Sequence, residues 1–201
     1  MKLNKAKIVR AARTVARKQG IHAVTIRGVA VVLDVTPMAL YRYIDSSTNL
    51  RHATIDFLLL PIPGPPAAGS VSDRLHEWAH EARRVLRMYP GLAEVCLAEW
   101  VTLRQGCRIM EGLLATAEDH TKHGGDQVAI ANACFVYVLS RVAVERSVLA
   151  RGRGRTLPAV EAEPDRFPRL VQHRFEFSNV NADRHFAIGL DALLTGLLTS
   201  E

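Results

Sequence analysis

Residues 25–47 read TIRGVAVVLDVTPMALYRYIDSS and contain two short helical patterns separated by a tight turn. The apolar side chains of Thr25–Leu33 recur at helical spacing and predict one helix. Thr36 is a favoured N-cap and Pro37 fits the first helical position, so a second helix is expected to begin there. Asp34 lies in the turn, where a left-handed backbone is required, and Asp tolerates that conformation better than most residues. This spacing predicts a helix-turn-helix.

A helix is also expected on each side of this stretch. The apolar residues between Ile8 and Ala16 follow helical spacing, and Gly20 ends that pattern. Asp45–Ser47 is a capping cluster, which predicts a further helix to about Leu60. The second helix of the helix-turn-helix exposes polar, aromatic and basic side chains, which suits a recognition helix that enters a DNA major groove.

The positive charge of the chain is concentrated in the same region. The net charge is +6, but residues 1–55 hold ten Lys and Arg against Asp34 and Asp45, which gives a local charge of +8. The rest of the chain carries sixteen basic and eighteen acidic residues. A basic N-terminal unit on a slightly acidic body is typical of a nucleic-acid-binding protein, although a solvated basic face has the same composition.

The overall composition excludes several classes of protein. Hydrophobic residues make up 48% of the chain and charged residues 23%, which excludes general disorder. The longest uncharged apolar stretch, residues 127–140, is shorter than a bilayer requires, so no membrane-spanning helix is expected. Basic residues interrupt the N-terminus and exclude a secretory signal. Cys96, Cys107 and Cys134 are an odd number of cysteines, which favours buried thiols in the cytoplasm over a disulfide framework.

A proline-rich segment divides the chain. Residues 60–70, LPIPGPPAAGS, contain four prolines and two glycines and cannot form a helix. Helical patterns continue at about 71–88, 91–103, 105–122, 126–150 and 182–199, with an exposed loop expected over 151–168. The sequence therefore predicts an all-α fold with three parts: a helix-turn-helix DNA-binding domain over 1–60, a junction over 61–70, and a larger helical regulatory and dimerisation domain over 71–201.

These residues resemble a known family. Residues 5–60 are similar to the TetR family of bacterial transcriptional repressors in a string of positions at fixed spacing: Gly20, Thr25-Ile26-Arg27, Val29-Ala30, Leu33-Asp34-Val35-Thr36-Pro37, Leu40-Tyr41-Arg42-Tyr43, Asp45-Ser46 and Leu50. The chain departs from the family at two points. Asp34 replaces the usual turn glycine, and Ser47 stands where the family often has a lysine that touches a phosphate. A hydroxyl and the helix N-terminus still suit phosphate, with a smaller electrostatic contribution.

The resemblance implies DNA contacts from the head. The implied contact residues are Thr25, Arg27, Thr36, Pro37, Met38, Tyr41, Arg42, Tyr43 and Ser47. Arg27 would reach a base edge or a phosphate, the tyrosines would clamp phosphates, and Pro37 and Met38 would meet thymine methyl groups.

Two later helices carry apolar stripes suited to pairing with a second copy of the chain, and the last one resembles the closing dimerisation helix of the family. The candidate dimerisation residues are Phe135, Val138, Phe186, Gly189, Leu190, Leu193, Leu194 and Leu197.

The helices at 71–122 carry more bulky apolar side chains than packing of so small a body needs, which predicts a small-molecule pocket. Its candidate lining is three apolar and three polar residues: Trp78, Trp100, Met110, His80, Glu99 and Arg104.

The sequence therefore predicts a homodimeric repressor that binds a palindromic operator and is released by a small-molecule effector, with no cofactor. A DNA-binding regulator with no ligand, or with a protein partner, would have the same features.

One motif favours a different class of protein. His76-Glu77-Trp78-Ala79-His80 has the HExxH pattern of zinc hydrolases, in which two histidines one turn apart bind zinc and the glutamate acts as general base. No strands are evident to build the substrate cleft of such an enzyme. We therefore expect a solvated His/Glu helix face without metal, and a zinc hydrolase or metal sensor remains the alternative.

Overall fold

A computed structural model describes residues 3–150, 158–175 and 182–199, without the side chains of residues 147–150. The principal elements of these ranges are helices: α1 (Lys5–Gln19), α2 (Ile26–Leu33), α3 (Pro37–Tyr41), α4 (Ser47–Leu59), α5 (Val71–Leu86), α6 (Leu92–Glu99), α7 (Arg104–Glu118), α8 (Gly124–Ala150), α9 (Pro158–Ala162), α10 (Pro168–Gln172) and α11 (Ala182–Leu198). Short 3-10 turns lie at Ile21–Ala23, Trp100–Thr102 and Pro164–Arg166. The predicted all-α class is confirmed.

Helices α2 and α4 of the head begin at side-chain caps, whereas Thr36 at the start of α3 makes no side-chain capping bond. Thr25 accepts a hydrogen bond from the Gly28 backbone N–H at 3.0 Å, and Ser46 accepts one from Asn49 at 3.0 Å. Asp34 ends α2 with φ 53° and ψ 50°, which is the left-handed conformation expected at the turn. These features place the helix-turn-helix where the sequence predicts it, and α3 ends at Tyr41.

Small apolar side chains close the core of the head. Ile8, Val29 and Leu40 have no exposed surface, and Ala30 keeps only 1%. The Val35 N–H donates to the Ala30 carbonyl at 3.1 Å, which holds α3 against the end of α2. The orientation of α3 is therefore set by packing of the turn itself.

The body is built around α8, which packs against α5, α6, α7 and α11. Over Gly124–Arg146 this helix has a mean hydropathy of 1.6 and could cross a membrane by length and composition alone. The sequence prediction missed this because it counted only the uncharged stretch. In the structure 39% of the apolar window is buried within the chain, so part of its apolar surface faces outward.

The proline-rich segment is fastened to the body. Arg108 donates to the Ile62 carbonyl at 2.7 Å, and the Arg74 side chain bonds the Pro66 carbonyl and pairs with Asp119. Leu59 and Ile62 are buried in a hydrophobic cluster that runs continuously from the head into the body. The helix α4 thus belongs to both parts of the molecule.

Two sequence expectations for the body were wrong in detail. The helix expected over 91–103 ends at Glu99 and continues as a 3-10 turn over Trp100–Thr102. This turn lies against the start of α7, which Gly106 permits, since a Cβ there would lie 2.5 Å from the Trp100 carbonyl oxygen. The loop expected over 151–168 contains α9 and a 3-10 turn, while residues 151–157 lie outside the described ranges.

Candidate nucleic-acid interface and ligand cavity

The nine candidate DNA-binding side chains are all exposed on one part of the head. Five of them line an open groove at the junction of α2, α3 and the start of α4: Thr25, Arg27, Pro37, Tyr41 and Ser47. Met38 keeps 73% of its surface exposed, Tyr41 47% and Tyr43 38%. Apolar and aromatic side chains with this much exposed surface are suited to contact with a partner.

The body contains a narrow apolar cavity. It is lined by Leu59, Ile62, Trp78, Ala82, Leu86, Cys96, Trp100, Gly106, Ile109, Phe135, Val138 and Leu139. Both tryptophans of the chain belong to this lining, and the Trp100 ring meets Phe135 edge-on at 5.6 Å. The volume is about 10 Å³, space for roughly one water molecule. A ligand therefore enters only if the walls move apart.

Sequence reasoning missed most of this lining. Leu59 and Ile62 come from the end of α4 and the junction, and Phe135 and Val138 were assigned to dimerisation. The cavity is lined by residues from α4 to α8, which are far apart in the sequence. Helical periodicity reports only local structure, so it cannot predict contacts of this kind. The bulk of Trp78 and Trp100 was the one available signal.

The other candidate ligand-binding residues lie elsewhere. Met110 is buried outside the cavity lining, and Arg104 is exposed at the start of α7. The His80 ring packs edge-on against Phe186 at 5.3 Å. Glu99 contacts Arg51 and His52 of α4 and does not line the cavity. Their role as ligand contacts stays a prediction.

Glu99 joins the body to the head. Its carboxylate accepts from Arg51 at 3.1 Å and lies 3.1 Å from His52 Nε2, both on α4. One turn further along α4, Asp56 accepts the Gln105 backbone N–H at 2.9 Å. These bonds tie α4 to α6 and α7 along its length.

A second contact joins α1 to the turn before α6. The Ile21 N–H donates to the Pro90 carbonyl at 2.7 Å, and Arg13 Nε donates to the Tyr89 hydroxyl at 3.0 Å. The head therefore rests on the body through both α1 and α4.

Both histidines of the HExxH motif already contact other residues of the protein. His76 Nδ1 lies 2.9 Å from the Ser72 carbonyl oxygen, and its Nε2 lies 2.7 Å from Asp191 of α11. His80 packs on Phe186. Across the described ranges no cluster of three or more His, Cys, Asp or Glu side chains is arranged to hold a metal ion.

The three cysteines differ in environment. Burial raises the pKa of Cys96 and of Cys134 to about 12, and nearby Asp56, Glu99 and Glu94 add to the rise at Cys96. Both thiols therefore stay protonated at neutral pH. Cys107 is exposed, so the expectation of a buried thiol was wrong there, because it lies on the outward face of α7.

The candidate dimerisation residues lie mostly inside the protomer. Phe135, Val138, Phe186, Leu190 and Leu194 are buried in its own core. Gly189 faces Tyr137, with Leu193 and Leu197 half-buried. The outward stripes on these two helices mix apolar and small polar side chains: Ala129, Asn132 and Val136 on α8, and Ile188, Ala192 and Thr195 on α11.

A buried ion pair that the sequence did not reveal fastens α5 to α8. Arg83 donates through Nε and a terminal nitrogen to Glu145 at 3.0 and 2.8 Å, and both side chains are almost fully buried. Arg83 also bonds Asp183 of α11 at 2.8 Å, and this hydrogen bond lowers the pKa of Asp183. The guanidinium lies 4.4 Å from the centre of the Phe186 ring.

Comparison with known proteins matches both the body and the whole chain. A family model described as the tetracyclin repressor-like C-terminal domain matches residues 62–200. A search of curated proteins found no match.

Among solved structures, a possible TetR family transcriptional regulator from Streptomyces coelicolor A3(2) superposes with a TM-score of 0.83 at 23% identity, covering 96% of this chain and 98% of that one. BioQ with its natural double-stranded DNA operator has a TM-score of 0.74 at 25% identity, covering 99% and 100%. ActR from Streptomyces coelicolor in complex with actinorhodin has a TM-score of 0.78 at 21% identity, covering 98% and 95%.

Proposed function

Because the chain belongs to the TetR family of transcriptional regulators, with the family model matching residues 62–200, we propose that it is a soluble, dimeric DNA-binding repressor released from its operator by a small molecule. The observation that carries the proposal is the exposed surface of α2, α3 and the start of α4 on a head whose residues 1–55 carry a net charge of +8. BioQ, a relative in fold, has been solved on its DNA operator, and ActR with small-molecule ligands.

The exposed groove of the head fits a DNA major groove. We assign α3 as the recognition helix, with Pro37 and Met38 facing thymine methyl groups and Tyr41 at the phosphates. Arg27 lines the same groove from α2, within reach of a base edge or a phosphate. Ser47 opens α4, where free backbone N–H groups favour a phosphate. Thr25, Thr36, Arg42 and Tyr43 complete the proposed interface.

Dimerisation is proposed through the outward stripes of α8 and α11. Their members are spaced three and four residues apart, and Val136 and Ile188 expose apolar surface that helices of a second copy could cover. Leu193 and Leu197 are half-buried at the edge of this surface and remain part of the proposal. A twofold axis between the copies requires a palindromic operator.

The switch is proposed to act through α4. Leu59 and Ile62 form one wall of the cavity, while Ser47 at the other end of α4 belongs to the DNA-binding surface. A ligand that enlarges the cavity must shift that wall, and the two recognition helices then change their separation. The head over 1–60, the junction over 61–70 and the body over 71–201 are thus proposed as functional units that share α4.

The free energy that couples ligand binding to operator binding can be calculated from the loss of operator affinity. A ligand shifts the equilibrium only by its differential affinity for the two settings of α4. A hundredfold loss of operator affinity corresponds to about 2.7 kcal/mol of coupling free energy, and operator DNA must weaken ligand binding by the same factor.

No catalytic residue or cofactor is assigned. His76 and His80 of the HExxH motif already pack against α11, so we do not propose the zinc hydrolase or metal sensor. We also propose a cytoplasmic location, because a repressor acts on the chromosome.

The experiment that tests the function is recovery of the operator. Genomic fragments retained by the purified protein are sequenced, with the Tyr41→Ala, Arg42→Ala double variant as control. We expect an inverted repeat enriched by the native protein and absent from the control. Equal enrichment of unrelated sequences by both proteins would contradict specific binding.

A further inference from the structure

Trp78 separates two spaces in the body. On one side lies the apolar cavity of about 10 Å³. On the other lies an open groove of about 780 Å³ between the proline-rich junction and the polar side of α5, lined by Pro61, Pro63, Gly64, Pro66, Glu77, His80, Glu81 and Arg84. Trp78 contributes to both linings, yet it is only 2% exposed.

The indole N–H of Trp78 lacks an acceptor. Nε1 is buried, and no hydrogen-bond partner for it lies within reach in the described part of the chain. Buried indole N–H groups usually find a partner, because leaving one without it loses the hydrogen bond it made to water. An orphan donor on a residue that lines a proposed ligand cavity is therefore a candidate site for an acceptor that the protein does not supply.

Nε1 is not exposed to either space, so an acceptor reaches the N–H only when a wall moves. Of the two spaces, the narrow cavity is the one whose walls must move apart to admit a ligand, so we expect the acceptor from that side. A buried water needs several polar partners, and apart from the two indoles and the Cys96 thiol the lining side chains are purely apolar. The lining also holds no charged side chain, and Glu99, which the sequence placed there, is held by Arg51 and His52.

We propose that the effector is an uncharged, largely apolar ring compound with one carbonyl-type acceptor, which bonds Trp78 Nε1 as it enlarges the cavity. This inference rests on the proposed function, since it takes the cavity as the effector site. Absence of charge follows from the apolar lining, because an ion transferred there would lose its hydration without a counter-charge. A flat ring suits a space bounded by Trp78, Trp100 and Phe135.

A matched pair of probes tests the acceptor. 1-Indanone and indane share one fused ring system and differ by a carbonyl group. The two indole N–H signals are followed by proton–nitrogen correlation spectroscopy, and the Trp78 signal is the one missing from Trp78→Phe. We expect 1-indanone to move the Trp78 signal downfield, whereas indane leaves it near its free position. The Trp100 signal reports whether the variant keeps its fold.

Affinities supply the second readout. Trp78→Phe keeps an aromatic ring but removes the donor, so it should weaken 1-indanone binding about tenfold and change indane binding by less than about twofold. Indane-2-carboxylate, which adds a charge, should bind more weakly than either neutral probe.

Three results would overturn the inference: equal indole shifts from both neutral probes, equal affinities of the variant and the native protein for 1-indanone, or no binding by either neutral probe. Operator binding without any probe is measured on the same samples. If the native protein binds its operator but the probes fail, the effector chemistry is wrong and the DNA-binding function stands. If the probes behave as expected but no operator is bound, the repressor function fails instead.

Discussion

At the scale of single residues, the thiols give a prediction that depends on burial. Because the pKa values of Cys96 and Cys134 are raised to about 12, their reactive thiolate forms are scarce at pH 8. Cys107 is exposed. Iodoacetamide at pH 8 should therefore modify Cys107 alone in the native protein and all three cysteines after unfolding, as read by peptide mass spectrometry. Labelling of Cys96 in the native state would show that the cavity wall opens readily.

Arg27 gives the second prediction at this scale. It is exposed in the groove of the head, and an arginine that reads guanine makes two hydrogen bonds to one base. Arg27→Ala should cost about 1–3 kcal/mol of binding free energy on the operator and relax preference at one base pair, measured by titration of single-base operator variants. A loss of equal size on random duplex would make Arg27 a phosphate contact instead.

At the scale of helices, the buried pair between α5 and α8 should dominate local stability. Glu145→Gln leaves the Arg83 charge buried without its main partner, and removing one member of such a pair costs about 3–5 kcal/mol. Glu81→Gln is the matched control, because the Arg84–Glu81 pair lies on the surface of the same helix. Urea unfolding should show a lowered midpoint for the first variant only. Equal midpoints would mean that Asp183 alone holds Arg83.

The proposed dimer interface is formed by the outward stripes of α8 and α11 and can be tested at one residue. Ile188 lies in the outward stripe of α11 and is 54% exposed, so Ile188→Arg leaves the protomer core intact while placing a charge in the proposed interface. Light scattering should show one chain per particle for this variant and two for the native protein, with operator binding lost in parallel. Met88→Arg, at a partly exposed apolar site between α5 and α6, should stay dimeric. A dimeric Ile188→Arg protein would place the interface elsewhere.

The same scale shows how far the sequence could predict the structure. The helix-turn-helix followed from local signals, Thr25, Asp34, Thr36 and Pro37, and the structure has α2 and α3 where those signals predicted them. Helical spacing also found the long helices of the body. It did not show which face of α8 and α11 turns inward, because Phe135 and Leu190 are apolar enough for either a core or an interface. The cavity and the Arg83–Glu145 pair depend on contacts between distant segments, which no local pattern records.

At the scale of the whole molecule, charge and symmetry make the account testable. In the proposed complex the basic head of each protomer contacts phosphates, and the release of counterions should make binding weaken steeply as salt rises. Two copies on one twofold axis would contact half-sites about one helical turn apart. Salt dependence is expected of each head, whereas the half-site spacing belongs to the dimer alone.

The most direct test of the central claim is a fluorescence anisotropy titration of the recovered operator against a scrambled duplex of the same composition, at two salt concentrations. The account predicts two chains per operator duplex, an affinity for the operator at least about 10³-fold above that for the scrambled duplex, and a steep loss of both affinities with salt. Equal affinity for the two duplexes, or one chain per duplex, would contradict a dimeric operator-specific repressor.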